Sequence, residues 1–398
     1  MPNRFPGSMI AAAVAAAGAV ISLPITSTQA QVPAATGQVL KTPWGEPDLQ
    51  GIWTDEFDTP LQRPAKYADQ EFFTEAQREE LNQQRSALLG RRATERDLAG
   101  GYNFAIFLST KRTGARTSLI VDPPDGRIPP LIPEAQKIVA AEREFRLALL
   151  QSTETCKKKL PGCSGGKYDP MPSPRRADLP PRYNTSRMNR YDRPEDGGLA
   201  ERCLTAGLPE FGTAFGGSFR RIVQTLGGIT IFYDVGQGHA WQRDIVMNGS
   251  PHLPAHIRQW NGDSRGHWEG NTLVIDVTNF SPKTDYRGSR ENLHLVERWT
   301  RTEQTALEYV VTIEDPTVWT RPWTVKQEFT KQSERENKIF YEPRCIEGNY
   351  GLPGLLRGQR VEEVAFAHGR GPDPAIKDNV GSLVDTAPIP PAQDPFQQ

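Results

Sequence analysis

Between His239 and Glu297 the chain gathers three tryptophans and most of its reactive side chains: Trp241, Arg243, His252, Trp260, Asp263, Ser264, Trp268, Asp276, Asn279 and His294. A carboxylate beside an imidazole can do general acid–base work when burial brings both groups towards neutrality. Interleaved tryptophans suit a concave site for an apolar or aromatic small molecule. In that reading Glu297 is the base, His239 or His252 the acid, Asp263 a partner at the mouth of the site, and Arg243 or Asn279 the anion stabiliser. Trp260 and Trp268 line the cavity. The structural alternative is an ion pair of Glu297 with Arg243 or Arg258.

Other chemistries fit less well. His252-Leu-Pro-Ala-His256 has the spacing of helical zinc ligands, but Pro254 disfavours a regular helix. His239 or Asp263 could complete a loop-built metal site. A hydrogen-bonded histidine that orders its loop fits better, and no metal is assigned. Ser264 lies in Gly262-Asp263-Ser264-Arg265-Gly266, which is not a nucleophile elbow; Asp and Ser beside glycines are ordinary turn formers. With no phosphate loop, dinucleotide fingerprint or haem motif, no cofactor is expected.

The elements that must position these residues read as strands. Residues 221–226, 229–234, 241–246, 256–260, 272–277, 293–302, 307–313, 323–330 and 338–342 are short, rich in β-branched and aromatic residues, and separated by Gly, Asn, Asp and Pro. Frequent turns without intervening helices predict a mainly β fold: an antiparallel meander closed as a barrel, or a sandwich. Leu293, Leu295, Glu297 and Trp299 share one face, so Glu297 sits among apolar neighbours while His294 points the other way. Asp276 shares a face with Thr272, Val274 and Thr278. Of the eight tryptophans, six lie between Trp241 and Trp323, and most of those are core fillers.

Before this region the pattern is helical and extended. Leu49–Thr54 reads as a short strand. Thr74 to about Leu89 carries a capping box, and Pro133 to about Gln151 fits a second helix. Between them, Arg116–Val121 forms another short strand. The organisation expected is a leader over 1–30, a helical and extended region over 31–200 ending in a Pro/Arg-rich connection, a β domain over 201–350 and a tail over 351–398.

Arg4, an uncharged apolar run from Ser8 to Thr26, and Thr28-Gln29-Ala30 form a secretory signal peptide with cleavage near Ala30. Its apolar core is short for the roughly 20 residues of a membrane span. The mature chain, with no span of its own, is expected in the periplasm or secreted. A formal net charge of −1 gives no field to draw in nucleic acid. Four cysteines in an exported chain read as disulfides, with three possible connectivities. Cys156 with Cys163 is the natural local pair, leaving Cys203 with Cys345. Closing that longer loop gives about 4–5 kcal/mol in the chain-entropy model.

Pro47-Asp48-Leu49-Gln50-Gly51-Ile52-Trp53-Thr54 and Gly262-Asp263-Ser264-Arg265-Gly266-His267-Trp268-Glu269-Gly270 resemble a large group of uncharacterised exported bacterial proteins. Glu291-Asn-Leu-His294 with Glu297, and Cys345-Ile-Glu-Gly-Asn-Tyr350, belong to the same pattern. The resemblance implies export and a β-rich fold, and carries no activity with it. More loosely, Gly51-Ile52-Trp53 is similar to the first-strand Gly-x-Trp of calycins, which implies a lipocalin-like barrel. Two functions follow: a cofactor-independent enzyme doing hydrolysis, elimination or isomerisation, or a lipocalin-like carrier of a hydrophobic small molecule.

Overall fold

The computed structural model describes residues 40–89, 111–183, 188–200, 202–205, 207–211, 219–234, 240–333 and 350–378. The leader, His239, Cys345 and the strand expected over 338–342 lie outside them.

Alternation of apolar and polar residues builds the main sheet. Its strands are β1 (Gly51–Thr54), β5 (Phe219–Thr225), β6 (Gly228–Asp234), β7 (Ala240–Val246), β8 (Asp263–Glu269), β9 (Thr272–Thr278), β10 (His294–Arg301), β11 (Ala306–Glu314) and β12 (Trp323–Lys331). They hydrogen-bond in the order β1-β5-β6-β7-β8-β9-β10-β11-β12, and β12 pairs back to β1. Trp53 opposite both Arg220 and Lys331 marks the closure. Closure removes both sheet edges and leaves one inside and one outside. The fold is therefore a nine-stranded barrel and not a sandwich. β4 (Ile120–Asp122) adds to β12, and β2 (Phe57–Asp58) pairs with β3 (Arg112–Thr113) outside the barrel.

One pairing departs from the meander. β7 and β8 run parallel, with Val246 opposite Arg265, because residues 247–262 carry the chain back along the barrel before β8 begins. The strand expected at 256–260 is part of this return. There Asn279 Nδ2 donates to the oxygens of Leu253, Pro254 and Ile257, and only Gln259 forms a single bridge, to Phe280. The Gly-Asp-Ser-Arg-Gly segment, read as a turn, is instead the start of β8. Ser264 and Gly266 face inwards where larger residues would clash: a Cβ on Gly266 would lie 2.5 Å from Met247 Sδ and 2.6 Å from Ile245 Cγ2. Small inward residues hid the strand from the hydrophobic pattern.

Large side chains occupy much of the interior. Trp53, Trp299, Trp323, Phe329, Ile231 and Val311 are all fully buried or nearly so, consistent with close packing. Residues 47–49 seal one end. Leu49 N donates to Gln224 Oε1 (2.6 Å), Trp53 Nε1 to Leu49 O (2.8 Å) and Arg301 Nη1 to Asp48 O (2.8 Å), which accounts for the Pro-Asp-Leu-Gln-Gly-Ile-Trp segment.

Helices decorate the barrel: α1 (Glu75–Leu89), α2 (Pro133–Leu150), the short α3 (Glu154–Lys157) and α4 (Gly351–Ala367). The last occupies a segment expected to be an irregular tail. Cys156 and Cys163 are joined, and Cys203 is also disulfide-bonded. No helix among the described residues is long and apolar enough to cross a membrane.

Candidate functional site

The residues expected to form one site divide between the two faces of the β7–β11 wall. Inside, on β7 and β10, Arg243 and Glu297 form a salt bridge with no solvent-accessible surface on the carboxylate. Glu297 also accepts from Trp299 Nε1 and Tyr309 Oη, each at 3.2 Å, and Arg243 Nη1 donates to Ser264 Oγ at 3.3 Å. A buried charge pair survives only when its remaining polar atoms find partners, and these neighbours supply most of them. Burial disfavours the Arg243 cation, but the charge and hydrogen bond of Glu297, together with Tyr233 and Tyr309, outweigh it and raise the pKa. Burial pushes the Tyr233 hydroxyl up to about 12 and that of Tyr309 well above its ordinary 10.

Tyr233 stacks on Trp241 across β6 and β7, ring centroids 5.3 Å apart and the rings nearly parallel. Arg243 lies 5.7 Å from the Tyr233 ring centre. Two buried donors here, Trp241 Nε1 and Arg243 Nε, have no acceptor among the described residues.

Outside, the return loop and four strands carry a chain of imidazoles and carboxylates. His252 Nδ1 meets Asp263 Oδ2 at 2.7 Å and its Nε2 meets Asp276 Oδ1 at 2.9 Å. His294 Nε2 meets the other oxygen of Asp276 at 3.2 Å, and its Nδ1 meets Glu314 Oε2 at 3.4 Å. Asp263 is held by Arg265, at 2.9 and 3.0 Å, and by Leu253 N at 3.1 Å. Burial opposes the Asp263 charge, yet these donors hold its pKa below the usual carboxylate range. The hydrogen bond with His294 lowers Asp276 and raises His294.

Of the partners weighed for Glu297, the ion pair with Arg243 is the one formed. His252 and Asp263, also offered to Glu297, meet each other on the outer face. Trp260 sits half-buried in the turn before β8, and Trp268 packs against the barrel core. Asn279, at φ +56°, pins the His252 loop. The partners missed were Asp276, His294 and Glu314. Alternation put Asp276 and His294 on the outer face, but only the pairing of His294 with Glu314 and of Val296 with Asp276 makes them neighbours. No three His, Cys, Asp or Glu side chains among the described residues stand as a ready cation cage.

No protein-family model matches the chain, and no curated protein does. Solved structures similar to parts of it include a secretory abundant heat soluble protein of Ramazzottius varieornatus (13% identity, TM-score 0.21), with 29% of this chain and 72% of that chain covered. A mutant of the fluorescent protein UnaG is another (15% identity, TM-score 0.20), with 30% and 73% covered. The barrel assignment itself rests on the strand register above.

Proposed function

We propose that this is an exported binding protein for an apolar or aromatic small molecule that carries a hydrogen-bond acceptor, taken up where β6 and β7 meet. The observation that carries this reading is the pair of buried donors, Trp241 Nε1 and Arg243 Nε, that have no acceptor among the described residues, beside the stacked Tyr233–Trp241 rings. A buried donor without a partner costs about 1–3 kcal/mol, so an acceptor from a ligand would be favoured there. The flat indole supplies apolar contact beside it. Export is supported by the Cys156–Cys163 disulfide. The enzyme reading has no comparable support, because Glu297 and His252 share no surface from which to act together.

The test is a fluorescence titration of the purified protein with a fatty acid and with a series of aromatic carbonyl compounds. Saturable binding of at least one class is expected, with quenching of tryptophan emission. Trp241→Phe keeps the ring stack but removes the donor, and should weaken binding about tenfold, the value of one net hydrogen bond. Absence of saturable binding in both classes, or unchanged affinity in Trp241→Phe, would overturn the reading.

A further inference from the structure

The helix α4 carries apolar side chains on its outer face. Tyr350, Gly354, Arg357, Val361, Val364 and His368 follow one another at steps of four and three residues, so they share one side of the helix and its caps. All six are exposed, Val361 by 60% and Val364 by 53%. Gln359, Glu362 and Glu363 point away from that side: Gln359 is buried, Glu362 pairs with Lys377, and Glu363 with Arg360. A surface helix ordinarily lays its apolar stripe against the protein and its polar residues in water. A helix that exposes valines and buries an amide presents a face built to be covered. We propose that this face docks on an anionic lipid bilayer.

The charge on the face selects lipid. Arg357, Arg360 and Arg370 border a shallow depression of about 540 Å³ floored by Val361, Val364 and Ala365. Arg360 is held by Asp192 and Glu363, whereas Arg357 and Arg370 pair with no carboxylate among the described residues. Guanidinium forks match phosphate oxygens, and arginine stems lie along apolar surface while their heads reach the headgroups. Every lining residue comes from α4 or the turn that follows it, so no second wall grips a peptide, and a broad surface is the better complement. A second copy of the chain would set guanidinium against guanidinium across a two-fold axis, which is repulsive. Gly354 and Gly358 keep the backbone near the surface, since a Cβ on either would meet nothing within 4 Å. Two valines and three arginines give weak, reversible attachment of the order of one acyl anchor, with half-saturation at about 0.1–1 mM lipid.

Co-sedimentation of the whole protein with vesicles of phosphatidylcholine, pure or mixed equally with phosphatidylglycerol, tests this. Half of the protein should pellet with the anionic vesicles at about 0.1–1 mM lipid. The neutral vesicles should require about tenfold more, and about 0.5 M NaCl should release the bound protein. Arg357→Gln and Arg370→Gln should each raise the lipid required about fivefold. A Val361→Asp/Val364→Asp double variant, with the circular dichroism of the parent, should stay in the supernatant. Arg112→Gln, an exposed arginine on β3, should pellet like the parent. No pelleting on anionic vesicles up to about 5 mM lipid, or unchanged pelleting of the folded double variant, would overturn the proposal. A dimer in light scattering that the double variant dissolves, with no vesicle binding by the parent, would overturn it in favour of a second copy of the chain.

Discussion

The two faces of the β7–β11 wall hold the same kinds of side chain under opposite conditions. Inside, Arg243 and Glu297 are stripped of water, and their mutual attraction with the Trp299, Tyr309 and Ser264 contacts must offset that loss. Outside, His252, Asp276 and His294 stay between a quarter and a half exposed, so solvent screens each contact. The inner cluster is therefore expected to govern folding more than the outer chain. One side chain links them in sequence: Ser264 bonds Arg243 inside, and the preceding Asp263 bonds His252 outside.

The sharpest way to break this contrast is to remove one inner charge. Glu297→Leu strands a buried guanidinium and should lower the unfolding free energy by about 3–5 kcal/mol, read by urea denaturation. Arg243→Met added to it should restore most of the loss. A loss under about 1 kcal/mol in the single variant would mean the pair is not effectively desolvated. Alkaline titration probes the same cluster without mutation. Tyr233, with its pKa near 12, and Tyr309, well above 10, keep their protons in the fold after unfolded tyrosines near 10 have lost theirs. The unfolded state then binds fewer protons, so stability should fall as pH rises from about 10 towards 12. A flat profile over that window would show these hydroxyls to be solvated. The smallest effect belongs to the outer face. Asp276→Asn should change stability by under about 1 kcal/mol, and a larger loss would make the chain a folding element.

Much of the architecture was legible because a strand writes its burial into every second residue. Leu307, Tyr309, Val311 and Ile313 announce an inner face, and β11 carries it as expected. Glu297 among Leu295 and Trp299 was recognisable as a buried carboxylate, and Arg243 was one of two cations considered for it. β8 escaped because two of its inward positions are the small Ser264 and Gly266, the latter crowded by Ile245 of β7. α4 escaped because Gly351, Pro353 and Gly354 at its start read as breakers, although Pro is tolerated in a first helical turn.

By itself the sequence determined the β class, the inward side of the strands around 293–301 and 307–313, and the local Cys156–Cys163 pair, all properties carried by neighbours along the chain. Tertiary structure alone decided that the sheet closes, that β7 and β8 run parallel, and that His252 meets Asp263 and Asp276 while Glu297 meets Arg243. Those outcomes depend on register and on the path of the 247–262 return. A one-residue slip in register exchanges the faces of a strand, and no local pattern records which strand will lie alongside.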